Sequence, residues 1–99
     1  MVDRVRVQIA DRLTTDLRDT TSKAGWPDFV VSNLRVLWDG STWRVDIPST
    51  IRETVDDLEY GTQTRTPNPA LRRFTARMGT LADRAAAAAL VNLGGEVLV

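Results

Sequence analysis

The chain opens on apolar residues four positions apart. Val5, Ile9, Leu13 and Leu17 recur at that interval, and Arg4, Asp11, Arg12, Thr15, Arg18 and Asp19 fill positions between them. This spacing lays one apolar stripe along a helix, because side chains at i and i+4 stand on the same face. Val5, Val7 and Ile9 also alternate with Arg4, Arg6 and Gln8, a strand-like pattern. The continuation through Leu13 and Leu17 selects the helix. The pattern predicts a helix over 1–24, ended by Gly25-Trp26-Pro27.

From Phe29 the period shortens to two. Val30, Leu34, Val36 and Trp38 form one apolar face, Asp39-Gly40-Ser41-Thr42 reads as a turn, and Trp43, Val45 and Ile47 return on the same face. A hairpin over 29–47 follows. A four-residue loop opposes Trp38 to Trp43, Val36 to Val45, Leu34 to Ile47 and, on the other face, Arg35 to Asp46. A two-residue loop would oppose Arg35 to Arg44, and a three-residue loop would mix the two faces. Charge pairing therefore favours the four-residue loop.

Helical spacing resumes after Pro48. Ile51, Val55 and Leu58 are the buried stripe of a helix predicted over 49–60, with Thr50 and Glu53 at capping-box spacing and Gly61 as its C-terminal cap. Arg52, Glu53, Asp56, Asp57 and Glu59 are assigned to solvent. Residues 61–68 read as a polar, Pro-containing loop. Pro69 suits the first turn of a third helix over 69–93, buried through Leu71, Phe74, Met78, Leu81 and Ala85. Gly79 weakens that helix by about 1 kcal/mol and marks a place for a kink. The run Ala85–Ala89 allows close helix approach, and Gly94-Gly95 is expected to stop the helix and leave 94–99 as a tail. The fold class is α+β in a single domain, 1–99: N-terminal helix, antiparallel β-hairpin, short acidic helix, loop, Ala-rich C-terminal helix.

Composition then narrows the function. Of 99 residues none is His or Cys, which removes Ser-His-Asp triads, Cys nucleophiles, thiolate zinc sites and disulfides. No run of 18 apolar residues is present, so no membrane span is expected, and the N-terminus shows no hydrophobic signal region, which points to an intracellular compartment. The 13 basic and 13 acidic side chains cancel in total but not locally. Residues 46–59 hold five acids and one Arg, net −4, while residues 65–84 hold five Arg and one Asp, net +4. Either the two helices face each other within one chain, or the acidic side of one subunit meets the basic side of the next, a head-to-tail contact that closes into a ring.

Two chemical readings compete with assembly. Asp56, Asp57 and Glu59 could serve a metal or a carboxylate reaction only if they converged, and neighbouring helix positions diverge. No metal, cofactor or catalytic residue is expected, and the chain is read as a non-enzyme. Arg72, Arg73 and Arg77 give the third helix a basic side, so a small nucleic-acid-binding module using helix 69–84 is the alternative function.

Leu58-Glu59-Tyr60-Gly61-Thr62, followed by Pro67-Asn68-Pro69-Ala70-Leu71-Arg72, resembles a signature of small neck proteins of long-tailed bacteriophages, the head–tail joining or tail-completion proteins. That pattern has an acidic residue, an aromatic, Gly-Thr, a short Pro-containing loop and Pro-Phe-Leu-Arg entering a helix. Here Ala70 stands in place of Phe, and Phe74 follows one turn later. The upstream order of helix and β-hairpin is also shared. The resemblance implies a structural virion protein in the phage neck, assembled in the host cytoplasm. It would join the portal or adaptor side of the head to the tail as a homo-oligomeric ring, a hexamer or dodecamer. Its partners would be the neighbouring connector and tail proteins, with DNA passing close by in the channel and no membrane involved. The interface residues it implies are Glu59, Tyr60, Gly61, Thr62, Arg65, Pro67, Pro69, Leu71, Arg72 and Arg73. Gly61 would allow a left-handed turn, and Tyr60 would bury its ring with the hydroxyl bonded.

Overall fold

The structure, a computed structural model, describes the backbone of residues 3–97 and the side chains of residues 4–89. It is an α+β fold, mostly helical: α1 (Asp3–Lys23), α2 (Asp28–Val31), β1 (Arg35–Trp38), β2 (Trp43–Asp46), α3 (Arg52–Tyr60) and α4 (Ala70–Val97).

α1 buries the predicted stripe, with Val5, Ile9, Leu13 and Leu17 all inside and Val7 exposed, as the helical phase requires. The helix ends in a Schellman motif. Gly25 takes φ +86°, its N–H donates to the Ser22 carbonyl at 3.0 Å, and the Trp26 N–H donates to the Thr21 carbonyl at 3.1 Å. The chain then departs from the expected strand. Residues 28–31 form a helical turn begun at Pro27, which places Trp26 and Val30 in the core and Phe29 in solvent. The Asn33 amide closes that turn on the Phe29 carbonyl at 2.6 Å. The hairpin therefore starts at Arg35 and not at 29, because the fixed φ of Pro27 sets up a helical first turn.

Within the hairpin the register is the one charge pairing selects: Arg35 opposite Asp46, Val36 opposite Val45, Trp38 opposite Trp43. Arg35 Nε lies 2.9 Å from Asp46 Oδ2, and the two indoles meet edge to face at 5.1 Å. Leu34 and Ile47 lie just outside the ladder. Asp39 organises the turn, accepting from the Thr42 and Ser41 N–H groups at 2.9 and 3.0 Å.

α3 starts at Arg52, later than expected, and no capping box forms. The N-cap position is Ile51, without a side-chain cap, because Pro48–Ile51 makes a turn in which the Ile51 N–H donates to the Pro48 carbonyl. α4 is 28 residues long and runs through Gly79 and on through Gly94-Gly95 to Val97, so the expected stop at 94 is not made. An established helix gains one bond for each residue added, and glycine disfavours the helical conformation without forbidding it. The last residues of the expected tail, 98–99, lie outside the described residues, as do 1–2 of the expected first helix.

α1 and α4 run antiparallel. Asn68, just before α4, bonds the Ala24 carbonyl, Arg77 bonds the Thr20 hydroxyl, and Ala88 and Ala89 share a cleft with Gln8. Phe74, Ala82, Ala85 and Ala89 face the α1 stripe, with Val55 and Leu58 of α3 and Val36 of β1 completing one core. Among the described residues no helix is long and apolar enough to cross a membrane.

Candidate functional site

The corner between α3 and α4 gathers most of the residues singled out in the sequence. At 3.6 residues per turn, Ile51, Val55, Leu58 and Glu59 fall on one side of α3, and Glu53, Asp56, Asp57 and Tyr60 on the other. Glu59 is accordingly buried at 5% exposure, which overturns its assignment to solvent. Its two carboxylate oxygens accept the Leu71 and Arg72 N–H groups, each at 2.9 Å. A carboxylate there satisfies two of the amides that have no partner inside α4 and meets the positive end of the helix dipole. Glu59 is thus spent within the chain, and Leu71 packs partly buried against the core.

Gly61 makes the corner possible. It takes φ +80° and ψ 176°, a region that side chains exclude, and a Cβ at this position would stand 2.7 Å from the Arg65 carbonyl oxygen and 2.8 Å from Pro67. Beyond it, Thr62 N–H donates to the Arg65 carbonyl at 2.9 Å, closing a tight loop whose Thr62, Arg65 and Pro67 are exposed. Pro69 is the residue before α4, and its carbonyl accepts the Arg73 N–H at 3.1 Å.

Sequence reasoning missed Asn68 as a site residue. Its N–H donates to the Leu58 carbonyl at 2.9 Å, its amide nitrogen to the Ala24 carbonyl at 2.6 Å, and its amide oxygen accepts from Arg73 at 3.0 Å. One residue therefore ties the ends of α1 and α3 to the start of α4, its side chain reaching α1 and Arg73 and its backbone N–H reaching α3. The only signal in the sequence is its place between two prolines, where a short polar side chain must serve the backbone.

What remains for outside contact is the wet side. Tyr60 is 65% exposed, so its ring is not buried as expected. It continues the outward acidic face of Glu53, Asp56 and Asp57, all exposed. The basic residues of α4 do not form one surface. Arg72 lies in a cleft of about 410 Å³ with Asp56 and Tyr60. Arg73 and Arg77 instead line the α1/α4 groove with Lys23, and Arg84 lines the same groove further along with Arg12 and Asp16. In that groove Lys23 and Arg12 pair with Asp19 and Asp16 of their own helix. Among the described residues no acidic side chain of α3 forms an ion pair with an arginine of α4. Asp56 and Asp57 point outward while Glu59 points inward, and among the described residues no three acidic groups come together in a way that could hold a metal ion.

No family model, curated protein or solved structure matches the chain.

Proposed function

We propose that this protein is a structural joint, a subunit of a homomeric ring in the neck of a long-tailed phage. The observation that carries the reading is the separation of charge between two faces of the molecule. Glu53, Asp56 and Asp57 sit beside the exposed Tyr60 on one side of the molecule, and Arg73, Arg77 and Arg84 lie in a stripe along the α1/α4 groove on another. Neither set is neutralised by the other within the chain. A surface with complementary ends that cannot meet in one copy suits head-to-tail contact with the next, and such contacts repeated around a closed ring add up to a durable joint. The Thr62–Pro67 loop, pinned at Gly61 and Asn68, is then free to reach an adjoining layer of the neck.

The test is electron microscopy of the purified protein together with mass-resolved sizing at low salt. Rings of fixed order that fail to form after Arg77→Glu, and re-form when Arg77→Glu is combined with Asp57→Arg, support the reading. A chain that never exceeds a dimer under any of these conditions overturns it.

A further inference from the structure

The two edges of the hairpin are finished differently. On β1, Val36 turns its backbone away from β2, and the Thr14 hydroxyl accepts its N–H at 2.9 Å and donates to its carbonyl at 3.4 Å. Arg18 Nε donates to the Leu34 carbonyl at 2.9 Å. At Leu34 and Val36 the edge of β1 is thereby closed by side chains of α1.

On β2 the outward groups belong to Trp43, Val45 and Ile47, because Val45 stands opposite Val36, whose backbone is turned away to Thr14, and inward and outward pairs alternate from there. The Ile47 carbonyl receives Arg52 at 3.1 Å, and the Trp43 carbonyl receives only its neighbour Thr42 at 3.4 Å. The outward N–H and carbonyl of Val45 have no partner among the described residues. An open edge of this kind is a template for another strand.

We propose that β2 pairs antiparallel with β2 of a second copy about a two-fold axis at Val45, joining the two hairpins into one four-stranded sheet. The occupant is identified by charge. With the axis at Val45, Arg44 of each copy stands opposite Asp46 of the other, so the short strand Trp43-Arg44-Val45-Asp46 is its own complement. These are the close, non-hydrogen-bonded positions of the new ladder, about 4.5 Å between Cα atoms. Asp46, already paired with Arg35, then lies between two guanidinium groups. Moving the axis to Arg44 opposes Arg44 to itself, and moving it to Asp46 opposes Asp46 to itself, and like charges directly opposite are unfavourable. A contact of this kind is isologous and is distinct from the head-to-tail contact proposed for the ring.

Charge swaps test it by analytical ultracentrifugation across a concentration series, with far-UV circular dichroism confirming that each variant is folded. The native chain is expected to form a species of twice its 11.0 kDa mass. Arg44→Glu alone and Asp46→Lys alone each place two like pairs across the axis and should weaken the dimer about tenfold. A one-to-one mixture of the two variants restores both opposite pairs and should restore the dimer. Protection of the Val45 amide from hydrogen exchange should rise with concentration in the native chain and not in Arg44→Glu. A chain that is monomeric throughout, a dimer indifferent to both swaps, or a mixture that fails to recover overturns the proposal. Loss of rings with the Val45 protection intact would count against the neck reading alone.

Discussion

Single residues at the α3–α4 corner carry more than their exposure suggests. Replacing Glu59 by Ala leaves the Leu71 and Arg72 N–H groups without their acceptors in a half-buried place, and should cost about 1–2 kcal/mol in urea unfolding. Glu59→Gln keeps one acceptor and should cost less. Gly61→Ala combines a forbidden backbone region with a 2.7 Å clash against the Arg65 carbonyl oxygen, and should cost about 1–3 kcal/mol. Gly40 is the internal control, since it also has positive φ but a Cβ there meets nothing within 4 Å, so Gly40→Ala should cost less than Gly61→Ala. Asp39 supplies a pH effect at the same scale. The Thr42 and Ser41 backbone N–H groups hold its carboxyl below the usual carboxylate value. A depressed folded pKa contributes stability above the unfolded value of about 3.9, and that contribution is lost as pH falls through the lower folded value. An NMR titration should place Asp39 below the usual carboxylate value, and Asp39→Asn should remove that part of the acid dependence. The inward turn of Glu59 was legible in phase, since it stands four residues after Val55. Its charge points to solvent and its phase to the core, and the phase wins because two backbone N–H groups receive the carboxylate.

Elements were legible where one period ran long enough to leave a single solution. The four-apart stripe of α1 and the pairing of Arg35 with Asp46 both survive in the fold, because a slip of one residue in either would bury charge. The helical turn at 28–31 was hidden because Val30 and Leu34 satisfy a period of two as well as a period of four. The capping box at Thr50 was a spacing without the required backbone, since Pro48 draws the chain into a turn first. α4 passes straight through Gly79, whose Cβ position is open, with nothing within 4 Å. Gly79→Ala should therefore stabilise the protein by about 0.5–1 kcal/mol, read as a higher urea midpoint at unchanged slope. The join between hairpin and helix depends on Thr14. Thr14→Val removes the acceptor of the Val36 N–H and should cost about 1–3 kcal/mol by the same measurement.

At the scale of the molecule, the chain is long and narrow, 59 × 22 × 22 Å. Its radius of gyration is 15.4 Å, above the roughly 13 Å of a compact chain of this length. The antiparallel pair α1 and α4 sets that shape, and it is held by apolar side chains, by Asn68 on the Ala24 carbonyl and by Arg77 on the Thr20 hydroxyl. The ion pairs Arg12–Asp16, Lys23–Asp19 and Arg35–Asp46 all include an arm more than half exposed and contribute little to the fold. Salt should then separate assembly from folding. The screening length falls from about 10 Å at 0.1 M to about 3 Å at 1 M, so contacts between the acidic face of one copy and the basic groove of the next weaken while the core does not. Circular dichroism should stay constant across that range as sedimentation shows large species giving way to small ones. The end point distinguishes the two interfaces. The strand contact at Val45 loses the Arg44–Asp46 attraction to screening but keeps its main-chain hydrogen bonds, so the smallest species at high salt and high protein concentration should be a dimer. A direct fall to monomer would remove the strand contact and leave only the charged one, and rings unchanged at 1 M salt would remove the charged one.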